Sequence, residues 1–253
     1  TWSAIASNLP ENGPVLAFAE DHINPNLLFV GTEFGLFFTI DGGKKWIQLK
    51  SGLPTIAVKD LVIQKRENDL VLATFGRGFY ILDNYSPLRT ITSDLLSQET
   101  VVFPVKDPWW YIQAEPLGGQ GKSFQGDNFF VADNPAFGAT ITYYLKDSLK
   151  TKKQKRQEAE KEAEKNKQTA PYPTPEQLRA EDEEPTPEII LTITDVNGNV
   201  IRKFTGPESA GINRVTWNLR YPPVSVNSRP NTEGELAASS LVLPGTYKVS
   251  LAK

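Results

Sequence analysis

Short apolar runs broken by Asn, Pro, Gly and Asp fill the first ninety positions. Val15–Ala19, Leu27–Thr32, Leu36–Ile40 and Trp46–Leu49 have the length and the β-branched and aromatic content of strands. The same order then returns. "NLLFVGTEFGLFFTID" (26–41) overlays "DLVLATFGRGFYILDN" (69–84) at an offset of 43, which sets Leu27 on Leu70, Phe29 on Leu72, Gly35 on Gly78 and Phe37 on Tyr80. "VLAFAEDHINPN" (15–26) overlays "VKDLVIQKREND" (58–69) at the same offset, and Trp2 with "SNLP" overlays Trp46 with "SGLP" at 44. "INPN" and "RENDL" predict the first hairpin turn of each copy. "EFG" and "GRG" predict the next, where Gly35 and Gly78 tolerate positive φ.

Between two of these runs lies "FTIDGGKKW" (38–46). Asp41 can accept hydrogen bonds from the backbone N–H groups that follow it, as in an Asx turn. Gly42 and Gly43 permit the tight path, and Trp46 is expected to pack its ring between successive sheets. Thr39-x-Asp41-x-Gly43-x-x-Trp46 resembles the Asp-box, S/T-x-D-x-G-x-x-W, of sialidase-like, sortilin-like (VPS10) and related BNR-repeat propellers. In that resemblance the box is the turn between the third and fourth strands of a blade, a mark of architecture and not of catalysis. Thr1-Trp2 reads as the tail of another box. "LDNYSPL" (82–88) carries no following Trp, as suits a last blade. A period near 43 is also the length of a four-stranded blade, and two blades cannot close a ring that needs roughly four to eight. The sequence opens without an initiator Met, which leaves room for upstream residues that complete the propeller.

Downstream, "SPLRTITSDLLSQETVVFPVKDPWWYIQ" (86–113) reads as a connector with one helical turn at Ser93–Leu96 and a strand "TVVFPV". Trp109, Trp110 and Tyr111 form an aromatic cluster, read as sealing a domain junction, with stacking on sugar rings as the alternative. "LGGQGKSFQGDN" (117–128) lacks P-loop spacing and a βαβ context, so it reads as a loop. "ATITYYL" (139–145), "EIILTITD" (188–195), "VIRKF" (200–204), "NRVTWNLRY" (213–221) and "GTYKVSLAK" (245–253) predict strands. Val215, Trp217 and Leu219 share one face of theirs, and Tyr247, Val249 and Leu251 share one face of the last. Strands at this spacing without a Cys pair argue an Ig-like sandwich. "DVNGN" (195–199) departs from a calcium loop at Val200 and reads as a hairpin turn. These strands resemble the Ig-like module of flagellar-hook-capping proteins. The order of propeller then sandwich resembles large Asp-box proteins of Bacteroidota, often labelled glycosyl hydrolases, a resemblance that implies export.

A charged excursion separates two of the strands. Lys146–Lys167 holds nine basic and five acidic residues, net +4, and Glu176–Glu188 holds six acidic and one basic, net −5. Helix formers and the pairs Glu158–Lys161 and Glu164–Lys167 favour a helix in the first half, with no apolar stripe for docking. Pro171, Pro173, Pro175, Pro185 and Pro187 are expected to keep the second half extended. The segment reads as a solvated excursion or an electrostatic docking arm.

Composition narrows the chemistry. The chain has 253 residues, 39% apolar and 23% charged, with a net charge of −3, no Cys and one His. That balance gives no general attraction to nucleic acid, and no apolar run is long enough for a membrane span. Without Cys and with His22 alone, neither a cysteine nucleophile nor a multi-His metal site is available; His22 reads as a loop residue. No cofactor is expected. A sialidase would need an arginine cluster and a Tyr–Glu pair, and a xyloglucanase two facing carboxylates. Arg66, Arg77 and Arg89 are the arginines in or just after the blades, and Asp21, Asp60 and Asp83 read as turn or strand-end carboxylates.

The resulting expectation is an all-β chain. Final Asp-box blades occupy 1–88, a connector with the aromatic cluster 89–138, and an Ig-like sandwich interrupted at 146–187 occupies 139–253. The function expected is non-catalytic binding or scaffolding in the cell envelope or outside the cell. The partner is a protein or the upstream part of its own propeller, with carbohydrate as a further ligand. The alternative is a glycoside hydrolase whose site lies in upstream blades.

Overall fold

The computed structural model describes residues 3–112, 134–168, 172–222 and 239–253, so Trp2, Pro171 and the glycine-rich stretch 117–128 lie outside the described residues. The described chain is mostly β, in antiparallel sheets of three or four strands that stay open. Contacts divide it into two compact units, Thr1–Ser97 and Gln98–Lys253.

In the first unit β1 (Val15–Glu20), β2 (Leu28–Thr32), β3 (Gly35–Thr39) and β4 (Ile47–Leu49) form one meander, and β5 (Val58–Gln64), β6 (Asp69–Thr74) and β7 (Phe79–Leu82) form another. A 3₁₀ turn, Ser86–Thr90, and the short helix α1, Ser93–Ser97, follow. Cross-strand partners share a face, so Ala17, Gly31 and Leu36 lie with Ala19, Phe29 and Phe38 on one side of the first sheet. That side packs against Leu61, Leu70 and Leu72 of the second sheet. The approach is close because Gly31 has no side chain: a Cβ there would sit 2.6 Å from the Val58 carbonyl oxygen.

The registers correct one detail of the repeat. Glu20 pairs with Leu28 where Ile63 pairs with Leu70, so β1 maps on β5 at an offset of 43 but β2 maps on β6 at 42. Leu28 and Val30, and not Leu27 and Phe29, are the counterparts of Leu70 and Leu72. The first hairpin connection is one residue longer, and a one-residue slip moves a strand's side chains to the opposite face.

In the second unit β8 (Thr100–Val102), β9 (Ala139–Leu145) and β12 (Gly211–Trp217) form a sheet in the order β12-β9-β8. Strands β10 (Ile189–Thr194), β11 (Val200–Gly206) and β13 (Lys248–Ala252) form another in the order β11-β10-β13. Alternate residues of β9 (Ile141, Tyr143, Leu145) and of β10 (Ile189, Leu191, Ile193) meet Trp217 in one shared core. Burial pushes the Tyr143 phenol up to about 12, helped by the nearby Glu208 charge. Thr100–Val102, read from sequence as part of a connector, pairs with β9 as an edge strand. The β10–β11 hairpin closes on Asp195, whose Oδ1 accepts from the N–H groups of Asn197 (2.9 Å) and Asn199 (2.8 Å).

The excursion links strands of different sheets, β9 and β10, and it differs from expectation in one respect. Its second half is not simply extended, because α3 (Pro175–Asp182) forms there after α2 (Lys152–Lys165). Proline at the first helical position lacks only an N–H that would be unpaired anyway. Thr174 Oγ1 accepts from Gln177 N–H at 3.2 Å, and Gln177 Oε1 accepts from Thr174 N–H at 2.9 Å, a reciprocal cap that starts the helix. Neither helix buries a residue.

Candidate functional site

Thr39 ends β3 and is fully buried. Its Oγ1 donates to Asp41 Oδ1 at 2.6 Å and accepts from the N–H groups of Asp41 (3.3 Å) and Gly43 (3.1 Å). Asp41 Oδ1 also accepts from Lys44 and Lys45 N–H, both at 3.0 Å. The Thr39 hydroxyl and the Lys45 N–H hold the Asp41 carboxyl below its ordinary value, with a smaller pull from Lys44. Gly43, at φ +91°, passes so near the N-terminal segment that a Cβ would meet Ile5 Cβ at 2.8 Å.

Trp46 is 3% exposed and its Nε1 donates to the Ile5 carbonyl at 2.6 Å. Its N–H donates to Asn8 Oδ1 (2.7 Å), and its carbonyl accepts from Asn8 Nδ2 (2.8 Å). The ring packs on Leu28, Val30, Phe37 and Leu9. The ring therefore lies on the face of the first sheet that is turned away from the second. Ile47 pairs with Phe38 and shares the side that meets the second sheet, so Trp46, one residue earlier, points the other way. Its neighbour there is the Ile5–Leu9 segment.

A buried polar cluster in the first unit is one that sequence reading missed. Asp21 is 3% exposed, and its two oxygens take five donors. Oδ1 accepts from Arg89 Nη2 (2.7 Å) and the Tyr85 hydroxyl (2.6 Å). Oδ2 accepts from Arg89 Nε (2.8 Å), Ile23 N–H (3.1 Å) and Asn24 N–H (2.7 Å). Arg89 Nη2 reaches on to Asn68 Oδ1 at 2.7 Å, and its guanidinium lies 5.3 Å from the centre of the Tyr85 ring. Burial pushes the Asp21 carboxyl up, but Arg89, Tyr85 and the two N–H groups outweigh it and hold the carboxyl far below the usual range. The same burial and the neighbouring carboxylate push the Tyr85 phenol well up. The cluster ties the β1–β2 connection, the β5–β6 turn and the segment leaving β7 into one clasp. His22 is adjacent, its Nδ1 3.7 Å from Asp21 Oδ1. A carboxylate this saturated is poorly matched to proton transfer near neutrality, which needs a value near the working pH and a free lone pair.

In the second unit the three aromatic residues do not form one platform. Trp110 Nε1 donates to the Val242 carbonyl at 2.8 Å, Tyr111 stands edge-on to Phe137 at 4.9 Å, and Trp109 is 71% exposed. Trp110 borders a cleft of about 370 Å³ whose floor is Ile141, Ile193 and Trp217, with Tyr247 on one wall. Trp217 and Tyr247 meet edge to face at 5.4 Å. The lining mixes apolar side chains with Lys106, Asp107, Thr246, Tyr247 and Lys248.

Some charges of the excursion pair internally. Arg156 grips Glu181 through Nε (2.6 Å) and Nη2 (2.8 Å) and Glu160 through Nη1 (2.6 Å). Lys152 N–H, at the start of α2, donates to Glu184 Oε2 at 2.6 Å. Glu158 pairs with Lys150 at 2.5 Å and not with Lys161 as the sequence suggested.

No protein-family model matches the chain, and no curated protein matches it. Among solved structures it is similar to PorZ, described as an essential bacterial surface component of the type-IX secretion system of Porphyromonas gingivalis. The likeness covers 94% of this chain and 28% of that one at 16% identity. Its TM-score is 0.24, too loose a superposition to carry an argument about this chain.

Proposed function

We propose that this chain is a non-catalytic binding or scaffolding part of an exported, repeat-built β protein of the cell envelope or extracellular space. The observation that carries the reading is the state of its turn carboxylates. Asp41, Asp21 and Asp195 are each taken up by donors of their own turns or of a buried arginine. Such carboxylates organise backbone and are not poised to attack or protonate a substrate. Export rests on the resemblance of the Thr39–Trp46 pattern and the propeller-then-sandwich order to secreted Asp-box proteins. In this reading the two meanders are successive blades and the second unit is the Ig-like module. Fractionating the source cells tests it: the protein should appear in the envelope or the medium, and recovery in the cytosol would refute it.

A further inference from the structure

We propose that Asn12–Gly13 is a self-modification site, at which the chain converts its own asparagine into an aspartyl or isoaspartyl residue. The reaction needs no partner but water. The amide nitrogen of the following glycine attacks the asparagine Cγ and gives up its proton, and ammonia leaves as a five-membered succinimide closes. Water then opens the ring at either carbonyl. One opening restores the main chain with an aspartate, and the other routes it through the side chain as isoaspartate. Both products carry a carboxylate in place of a neutral amide. Glycine next in line favours the closure, because it has no Cβ to obstruct the approach. The chain has three such dipeptides, Asn12–Gly13, Asp41–Gly42 and Asn197–Gly198.

Two of the three are shut by their own hydrogen bonds. At 41–42 the carboxylate takes the Thr39 hydroxyl and the Lys44 and Lys45 N–H groups, and the Gly42 N–H donates to the Asn26 carbonyl at 3.0 Å. At 197–198 the turn fixes the backbone on both sides of the attacking nitrogen. Asp195 Oδ1 accepts from Asn197 and Asn199 N–H, and Asp195 N–H donates to the Asn199 carbonyl at 3.0 Å. The Gly198 N–H itself donates to the Asp195 carbonyl at 3.2 Å. Closing the ring there means breaking these bonds before the planar peptide unit turns toward Cγ. Asn12 and Gly13 are exposed, and neither forms a hydrogen bond among the described residues.

The position of Asn12 gives the product a consequence. Gly13 runs beside the β2–β3 turn, where an added Cβ would lie 3.2 Å from Glu33 Oε2. A carboxylate at position 12 therefore joins Glu11 and Glu33 as a third like charge. Just upstream, Ile5 and Asn8 grip Trp46, through its indole N–H and its backbone. An isoaspartyl link adds a methylene to the main chain between that grip and β1. Modification slackens the segment that covers Trp46.

The 253-residue protein is aged in heavy-oxygen water at mildly alkaline pH, digested, and read by mass spectrometry for label at each asparagine. Synthetic peptides covering 8–17 and 193–203 supply the rates without the fold. The expected result is labelling of Asn12 close to its peptide's rate and at least about tenfold faster than labelling of Asn197, a factor worth about 1.4 kcal/mol of barrier. Asp195→Ala, which removes the acceptor of the turn, should bring Asn197 toward its peptide's rate and leave Asn12 unchanged. In aged protein the Trp46 indole N–H should exchange with deuterium faster than in fresh protein, and Asn12→Gln should abolish that difference. Equal labelling of the two asparagines in the folded protein overturns the proposal, as does an Asn12 that reacts far more slowly than its peptide. Asn197 remaining slow in Asp195→Ala overturns the protection by the turn, and unchanged indole exchange overturns the slackening.

Discussion

Replacing Asp21 with alanine removes the acceptor for five donors inside the first unit and leaves the Arg89 guanidinium, 12% exposed, without its counter-charge. The unpaired N–H groups of Ile23 and Asn24 add to the loss. Breaking a buried pair from one side costs about 3–5 kcal/mol, a large share of a typical total of roughly 5–15 kcal/mol. For a unit of this size that lowers the melting temperature by at least about 12 °C. Urea unfolding followed by circular dichroism and by fluorescence of the buried Trp46 would read the change. Asp21→Ala/Arg89→Leu should recover part of the loss, because an apolar replacement of both partners removes the stranded charge. The folded carboxyl lies far below its unfolded value, so the clasp's contribution is complete above about pH 4. It drains away as pH falls below that point. An Asp21→Ala protein within about 1 kcal/mol of the parent, with an unchanged acid transition, would refute the clasp.

Other perturbations have separate readouts. Asp41→Ala should cost roughly 1 kcal/mol or more in the same unfolding assay: water replaces the exposed bonds to Lys44 and Lys45 N–H, but the buried Thr39 hydroxyl loses its acceptor. Gly31→Ala should cost about 1–3 kcal/mol, because its methyl would press on the Val58 carbonyl from 2.6 Å. Ala73→Gly, at the equivalent open position, should cost less than that. Replacing 152–184 with a Gly-Ser linker long enough to join the two sheets should leave the melting temperature nearly unchanged, since neither helix buries a residue. Helicity of the arm should fall with added salt in the intact protein and fall less steeply in Arg156→Gln, which lacks the grip on Glu181.

Local order was legible in the residues and long-range pairing was not. Alternation and turn residues located strands such as Ala139–Leu145, and the spacing of Thr39, Asp41 and Gly43 pointed to a carboxylate accepting from its own turn. The Asp21–Arg89 clasp spans 68 positions, and nothing near either residue names the other. Asp21 read as a turn or strand-end carboxylate, and it does accept from Asn24 N–H in its own turn. The sheet assignment of β9 and β10 escaped for the same reason, since alternation tells which face is apolar but not which strand is the neighbour. Helix α3 was legible in principle, because Thr174-Pro175-Glu176-Gln177 is a capping box with proline at the first turn. The prolines around it outweighed that signal.

Hydrolysis measured on this chain bears most directly on whether its carboxylates are structural. The 253-residue protein, Asp21→Asn and Asp41→Asn are incubated with a fluorogenic sialoside and with xyloglucan, and released product is followed beside the melting temperature of each. The expected result is no product above the protein-free control from any of the three, with lowered melting temperatures for both variants. Turnover by the parent that disappears in either variant at unchanged melting temperature would contradict it.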